Sequence, residues 1–377
     1  MPPAATIFRL FLIAVPFLSF IVYLDIDFSS WPHELFKASL IAIIATLVAK
    51  HGGGFIFEEI GEVRSDKTYG LEHGRLNLEL PMRSMWMNMG FWKDTKEFPI
   101  ACSNLLHEVL ETAKIPPQSR IRLLDLGFGC GDQTLELMSL GAKWGCESRH
   151  PFLNESTEER QPLIVSYTGI TLNKAQYGHA IIRLANSEVA CSPAQLFQHD
   201  AADPGSWDHP DLLAQIAAMK TLDVAEEDKG AAPKNWILAL DSFYHFSPSR
   251  IPILKYAHRD LNASVMAFDL LLSDKATLSQ RILLSCLAKL MGCPKNAFMR
   301  EREYRRMLRE AGYMLGNVEM RDVSEHCFSP LAEYLERRED DLRGIGWTLG
   351  KFRAAKWMFG WWARTGIVRG IIIVART

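Results

Sequence analysis

The chain has 377 residues, of which 48% are hydrophobic and 23% charged, and a formal net charge of -2. This is enough apolar material for a packed core, which excludes a largely disordered chain, and the length suits one enlarged α/β domain with additions. The near-neutral charge leaves no basic field to hold a phosphate backbone, so nucleic acid is not the expected partner. The seven cysteines are odd in number and never spaced C-x-x-C, which argues for reduced thiols over a disulfide framework or a zinc site.

Two apolar runs open the chain, Leu10–Leu24 broken by Pro16, and Ala38–Ala49 between Lys37 and Lys50. With Ile7 and Phe8 added and Arg9 reaching back to the surface, the first approaches the roughly 20 apolar residues a membrane span needs. The second is short and suits an interfacial or re-entrant helix. A cleaved signal peptide lacks its basic leader here and its small-x-small site after Leu24. Residues 1–50 are therefore read as a membrane anchor of one or two hydrophobic helices, the alternative being a helical pair packed on the domain. His51–Gly54 (HGGG) reads as a hinge. To serve as an oxyanion hole it would need a G-x-S-x-G elbow, which the sequence lacks. Residues 51–115 are read as linker and cap, and 116–377 as the main domain.

Within the main domain, strand-like runs alternate with helical patterns, the signature of a parallel sheet. Strands are expected at Ile121–Leu126, Leu163–Thr168, Ala194–Gln198, Trp236–Leu240 and Val265–Leu271. Helices are expected from Gln133 to Leu140, Lys174 to Leu184, and Glu303 to Ala311, the last closed by Gly312. Val318–Val323 and Ile367–Ala375 are late strands with no long helix expected immediately between them. Residues 147–161 and 224–235 read as polar loops.

The most informative segment is Asp125-Leu-Gly-Phe-Gly-Cys-Gly-Asp132. It follows an apolar strand and opens a helix, where glycines allow close backbone approach and the helix end offers free N–H groups. The dinucleotide fingerprint G-x-G-x-x-G would need its third glycine at position 132, which is Asp132. The pattern D-x-G-x-G-x-G instead resembles motif I of class I methyltransferases that use S-adenosylmethionine (SAM), in which the loop holds the methionine part of the cofactor. The resemblance implies cofactor contacts at Asp125, Gly127, Gly129 and Gly131; Cys130 is read as a small filler.

Gly169-Ile-Thr-Leu-Asn-Lys-Ala-Gln176 resembles the G-I-T-L-S-x-x-Q segment of the cyclopropane-synthase, sterol and tocopherol methyltransferase group. Where many class I enzymes end the second strand with an acid that grips the ribose, that group uses the Thr-Leu backbone and the later Gln. This implies Thr171, Leu172 and Gln176 here, with Thr171 or Asn173 also suited to cap the helix. His199–Asp203 resembles the acid-plus-small pair at the adenine amine, implying Asp200 and Ala201. Trp236–His245 resembles the fourth-strand motif that ends beside the reacting methyl, and Asp241 is placed with the cofactor on that basis. Trp86-Met-Asn-Met-Gly-Phe-Trp92 resembles an aromatic-rich segment ahead of motif I, implying Trp86, Asn88 and Gly90; aromatic faces suit a sulfonium. Glu303–Tyr313 with Val318–Ser324, and the final Gly366–Arg376, resemble the end of the same fold. The resemblance spans roughly residues 80–377. It implies an α/β, Rossmann-like, seven-stranded methyltransferase sheet, mostly parallel with an antiparallel last strand, behind an N-terminal hydrophobic helical anchor.

Methyl transfer from SAM needs alignment, exclusion of water and, for some acceptors, removal of a proton. His245, just past the fourth strand, is the candidate base, with Tyr244 beside it as the alternative and His326 near the acceptor side. No H-x-x-x-H or clustered-carboxylate pattern suggests a metal. The Leu-rich Ile282–Met291 and the apolar face of Arg353–Trp362, together with the anchor, point to a small lipophilic acceptor taken from a membrane: sterol-like, prenyl-quinol or fatty-acyl. The expected location is an intracellular membrane of the endoplasmic reticulum, with the catalytic domain facing the cytosol. Two rivals remain open: a methyltransferase-fold partner subunit that binds SAM without catalysis, and a nicotinamide oxidoreductase, against which Asp132 speaks.

Overall fold

A computed structural model describes residues 82, 84–116, 119–145, 163–187, 194–221, 232–290, 293–294, 297–350 and 352–377. The expected anchor at residues 1–50, the hinge at His51–Gly54 and the polar segment 147–161 lie outside the described residues. Among the described residues, no helix is long and apolar enough to cross a membrane.

In chain order the elements are α1 (Phe98–Ala113), β1 (Arg120–Leu126), α2 (Asp132–Gly145), β2 (Leu163–Thr171), α3 (Lys174–Ala185), β3 (Ala194–Gln198), α4 (Pro210–Lys220) and β4 (Lys234–Leu240). They continue with α5 (Ile251–Arg259), β5 (Ser264–Leu272), α6 (Leu278–Leu290), β6 (Met299–Arg300), α7 (Glu301–Ala311), β7 (Val318–Asp322), α8 (Phe328–Gly344), α9 (Phe352–Thr365) and β8 (Val368–Ala375). The sheet runs β3-β2-β1-β4-β5-β8-β7, with the two-residue β6 paired to β5 off this path. Strands β1 to β5 pair in parallel, and β8 runs antiparallel to both β5 and β7.

The strands are near-continuous apolar runs because helices cover both sheet faces, as parallel sheets require. Every residue of β5 is buried. In β4 the period of two sends Trp236, Leu238 and Leu240 to the core shared with α1, α2, α8 and α9, and Ile237 and Ala239 to the core shared with α4, α5 and α7. Residues 98–113, expected as part of a separate cap, form α1, and its Leu105, Leu106 and Val109 join the same core as the sheet.

Among the described residues the sheet has the seven expected strands on its main path and one more, the two-residue β6, paired off it. One expectation is corrected. Between β7 and β8 the chain makes a long excursion through α8 and α9, where no long helix was expected. Their buried residues, among them Phe328, Leu331, Phe359 and Trp362, cover the end of the sheet at β5 and β8.

The order of strands reverses between β1 and β4, the two strands that left the chain's path in opposite directions. In an open α/β sheet, the crevice outside the carboxyl ends of the strands at such a reversal is where ligands bind.

Candidate functional site

A cavity of about 310 Å³ opens at that reversal, lined by the residues that follow β1, β2, β3 and β4 and by residues 85–88. The loop after β1 leaves the sheet sharply. Gly127 donates its N–H to Ile170 O at 2.7 Å and has φ 97°, and a Cβ there would lie 2.7 Å from Ser242 Cβ. Gly131, at φ 91°, packs so closely on α3 that a Cβ would meet Ala180 Cβ at 3.0 Å. Only glycine meets both demands, a left-handed backbone and no room for a side chain.

The two acids that flank the loop both face inward. Asp125 has no exposed surface. Gln133 Nε2 donates to both of its oxygens at 2.8 Å, and the Tyr167 hydroxyl donates to Oδ2 at 2.5 Å. Burial raises its pKa to about 6, opposed by the bonds from Tyr167 and Gln133. Asp132 receives Arg183 at 2.6 and 2.9 Å and the Met85 N–H at 3.1 Å, while Arg183 also donates to Cys130 O at 3.1 Å. One buried ion pair thus ties three segments together: the glycine loop, α3 and the strap at residues 85–89.

That strap crosses the cavity. Trp86 and Asn88 line it. Asn88 is fixed by donating to Cys102 O at 3.2 Å and accepting from Gly90 N at 2.9 Å. Met89 N–H donates to Asp241 Oδ2 at 2.8 Å, and Met87 Sδ lies 3.7 Å from Cys130 Sγ.

On the far side, Thr171 ends β2 and Leu172 follows it, and the Thr171 hydroxyl donates to Gln176 Oε1 at 3.2 Å. Asn173 caps α3, accepting from Ala175 N and Gln176 N, so Gln176 is presented from the first helical turn. Asp200 accepts from Ala202 N at 2.8 Å and lines the cavity with Ala201.

The remaining wall follows β4. Asp241 has φ 61°, a left-handed backbone that non-glycine residues seldom hold. Its Oδ1 is buried and has no hydrogen-bond partner among the described residues. Burial raises its pKa to about 7; the Met89 N–H and then Tyr244 lower it, and Asp269 raises it. Tyr244 is buried, and its pKa is pushed well above 10 by burial and then by the charge of Asp241. It keeps its proton and suits a donor rather than a base. His245 keeps an exposed face, yet the protein packed around its ring lowers its pKa below 6.5; Asp269 opposes the shift and Arg250 adds to it. Its Nδ1 lies 3.8 Å from Cys293 Sγ.

The structure therefore brings most of the expected residues to one cavity: Trp86, Asn88, Gly127 and Gly129; Thr171, Leu172 and Gln176; Asp200 and Ala201; and Asp241, Tyr244 and His245. Gly90, Asp125 and Gly131 do not line it. They stand one layer behind, where Gly90 packs on Ala101 and Asp125 holds the first turn of α2. His326 also lies apart from the lining, edge-on to the Phe91 ring at 4.8 Å. The sequence reading missed Arg183, Gln133, Met85, Ser242 and Cys293. Of these, Gln133 beside the glycine motif and Ser242 inside the Trp236–His245 segment carried a local signal.

No protein-family model and no curated protein matches the sequence. Solved structures do match. The cyclopropane synthase MmaA2 from Mycobacterium tuberculosis is 14% identical with a TM-score of 0.52, over 78% of this chain and 90% of that one. The mycolic acid cyclopropane synthase CmaA1, complexed with SAH and CTAB, is 13% identical with a TM-score of 0.50, over 77% of this chain and 90% of that one. At such low identity the likeness speaks for the fold, which is that of the class I SAM-dependent methyltransferases.

Proposed function

We propose that this chain, having the class I methyltransferase fold, is a SAM-dependent methyltransferase that acts on a small lipophilic acceptor at a membrane. The observation that carries the reading is the glycine loop, Gly127 to Gly131, opening on a cavity whose other walls come from the ends of β2, β3 and β4. Two features of the cavity fit SAM. The loop approaches its neighbours too closely for side chains, leaving bare backbone to face a ligand. Asp241, on the cavity wall, has an acceptor oxygen, Oδ1, with no hydrogen-bond partner among the described residues. The Asp132 carboxylate at the start of α2, where a dinucleotide fold seats a phosphate, speaks against a nicotinamide cofactor.

The residues that would hold SAM are Gly127 and Gly129 with Asp241 at the amino-acid end, Thr171, Leu172 and Gln176 at the ribose, and Asp200 and Ala201 at the adenine. Bound SAM would supply a methyl group activated by positive sulfur. The chain's own part is to position the acceptor, exclude water and move one proton. His245, its pKa lowered by burial, can accept that proton, while the Tyr244 hydroxyl is engaged with Asp241. Apolar side chains stand exposed on α6, at Leu278, Ile282 and Leu283, and at the cavity wall, at Met87 and Leu172. They support a lipophilic acceptor of sterol-like, prenyl-quinol or fatty-acyl kind. The two N-terminal apolar runs support delivery from an intracellular membrane, proposed as that of the endoplasmic reticulum with this domain on its cytosolic side.

Incubation with methyl-labelled SAM and total membrane lipids tests the activity. The expected outcome is label in one lipid class, and label in none would count against it. Removal of residues 1–50 should release the chain from membranes, and continued sedimentation with them would count against the anchor.

A further inference from the structure

We infer that the groove between α8 and α9 is a binding site for the headgroup of a zwitterionic phospholipid, an alkylammonium joined to a phosphate. The groove stands apart from the proposed SAM site, since the two linings share no residue.

The groove measures about 290 Å³. Its frame is set by Glu339, buried on α8, which accepts from Arg353 and Lys356 of α9 and so holds the two helices together. Its space comes from Gly360, inside the 14-residue α9. Glycine is a poorer helix former than alanine, and nothing in the fold demands one here. Gly360 is not among the left-handed glycines. Beyond its own helix backbone, a Cβ would neighbour only the guanidinium of Arg364, at 3.1 Å, and Ala332 Cβ across the floor, at 3.9 Å. What the missing side chain secures is the open groove, with Arg364 laid back across it.

The lining selects the ligand. Glu333 and Glu336 stand on α8, and Lys356 and Arg364 on α9. A ligand of one sign would meet a like charge, whereas a ligand of both signs finds a partner for each. Arg364 suits the phosphate. The Trp357 ring, held by stacking on Trp361 at 5.9 Å and 16°, offers an aromatic face to an alkylammonium. Glu333, steadied by the Ser329 hydroxyl at 3.1 Å, adds a carboxylate beside it. Phe352 lies one turn before Lys356 on the same stripe of α9 and is 52% exposed. It extends an apolar rim for an acyl chain, which favours a lipid over the free headgroup.

The probe is dihexanoylphosphatidylcholine below its micelle concentration, titrated calorimetrically into the full chain, so that no bilayer holds the protein by other segments. The wild type should bind it. Gly360→Leu should weaken binding by roughly tenfold or more and melt no lower than the wild type, because leucine suits a helix better. Should that variant not fold, Gly360→Ala serves, with a higher melting temperature and a several-fold loss. Trp357→Leu should also weaken the probe, and S-adenosylhomocysteine should bind all variants as it binds the wild type. Dihexanoylphosphatidylglycerol keeps the phosphate and chains but lacks the ammonium, and should bind roughly tenfold more weakly. Equal affinity for the two lipids would overturn the inference, as would equal binding of the probe by wild type and glycine variants. Phosphocholine binding as tightly as the lipid would overturn the assignment to a lipid. A wild type that does not bind the probe would end the inference outright and leave the SAM site standing.

Discussion

At the glycine-loop side of the cavity, both acids that flank the loop find their hydrogen-bond partners inside the protein. Asp125 takes bonds from Gln133 and Tyr167, and Asp132 is matched by Arg183 and capped by the Met85 N–H. Across the cavity, the wall after β4 is left incomplete. Among the described residues Asp241 Oδ1 has no hydrogen-bond partner, His245 lies between the Tyr244 ring at 4.2 Å and Cys293 Sγ at 3.8 Å, and α6 turns Leu278 and Ile282 to solvent. A wall that satisfies itself is a rigid mould for one ligand. A wall with open valences is completed by what enters, and there the chemistry of a second ligand is decided.

The sharpest way to break this contrast is to fill the mould. Gly127→Arg puts a side chain where even a Cβ would sit 2.7 Å from Ser242 Cβ, in a backbone conformation that L-residues avoid. Binding of S-adenosylhomocysteine should fall below detection in titration calorimetry, while the far-ultraviolet circular dichroism stays close to wild type. Unchanged affinity would mean that the loop is not the ligand's seat.

Next in size is an effect on the open wall. His245→Gln removes the candidate proton acceptor and should lower kcat by roughly 10² to 10⁴ with a small change in cofactor affinity. The sign of the pH dependence follows from its lowered pKa. The ring must be neutral to act, so wild-type turnover should hold as pH falls through 6.5 and fail only in more acid solution. A variant with full kcat would show that positioning alone suffices for this acceptor.

On the closed wall, Arg183→Ala should act through stability. It leaves Asp132 buried without its cation, a loss of about 3 to 5 kcal/mol, read as a lower denaturation midpoint. A loss under about 1 kcal/mol would place that ion pair among the weakly contributing ones.

How much of this was legible in the sequence follows from how each contact is coded. The glycine loop and the segment Gly169–Gln176 are contiguous, because a strand end and the helix start after it form one side of a site, so a short string holds both the fold signal and the ligand signal. The pairs Arg183–Asp132 and Cys293–His245 join residues 51 and 48 positions apart, and nothing local marks them. Asp125 was expected at the cofactor; its real partners, Gln133 and Tyr167, become neighbours only when α2 packs over β1 and β2. Among the overlooked helices, three carried a signal: α1, α4 and α5 each carry a proline in the first turn, at Pro99, Pro210 and Pro252, where its missing N–H costs nothing.

A smaller effect probes Asp125. Its pKa in the folded protein, about 6, lies above its ordinary 3.8, so folding favours the protonated form. The associated stability is fully present below about pH 3.8 and is lost as pH rises through about 6, a change on the order of 3 kcal/mol. From pH 4 to 7 the midpoint of the ligand-free wild type should therefore fall relative to that of Asp125→Asn, the carboxylates of lowered pKa, Glu319, Asp322 and Glu339, being common to both. A wild-type midpoint that climbs relative to the variant's would mean that the bonds from Tyr167 and Gln133 outweigh burial.

The smallest effect on the folded protein belongs to the surface of α6, and it separates two explanations of its exposed apolar residues. Leu278 and Ile282 are one helical turn apart, 71% and 58% exposed, whereas Leu284 on the same helix is buried in the core. Replacing the exposed pair by serine removes little burial, so stability should change by no more than about 0.5 kcal/mol per site. If the pair serves only as an unremarkable helix surface, turnover on a lipid acceptor will be unchanged as well. If it forms part of the path by which a lipophilic acceptor reaches His245, KM for that acceptor should rise several-fold while kcat and cofactor affinity hold. Such a split in the kinetic constants would place the acceptor's entry beside α6, at the open wall, and not at the glycine loop.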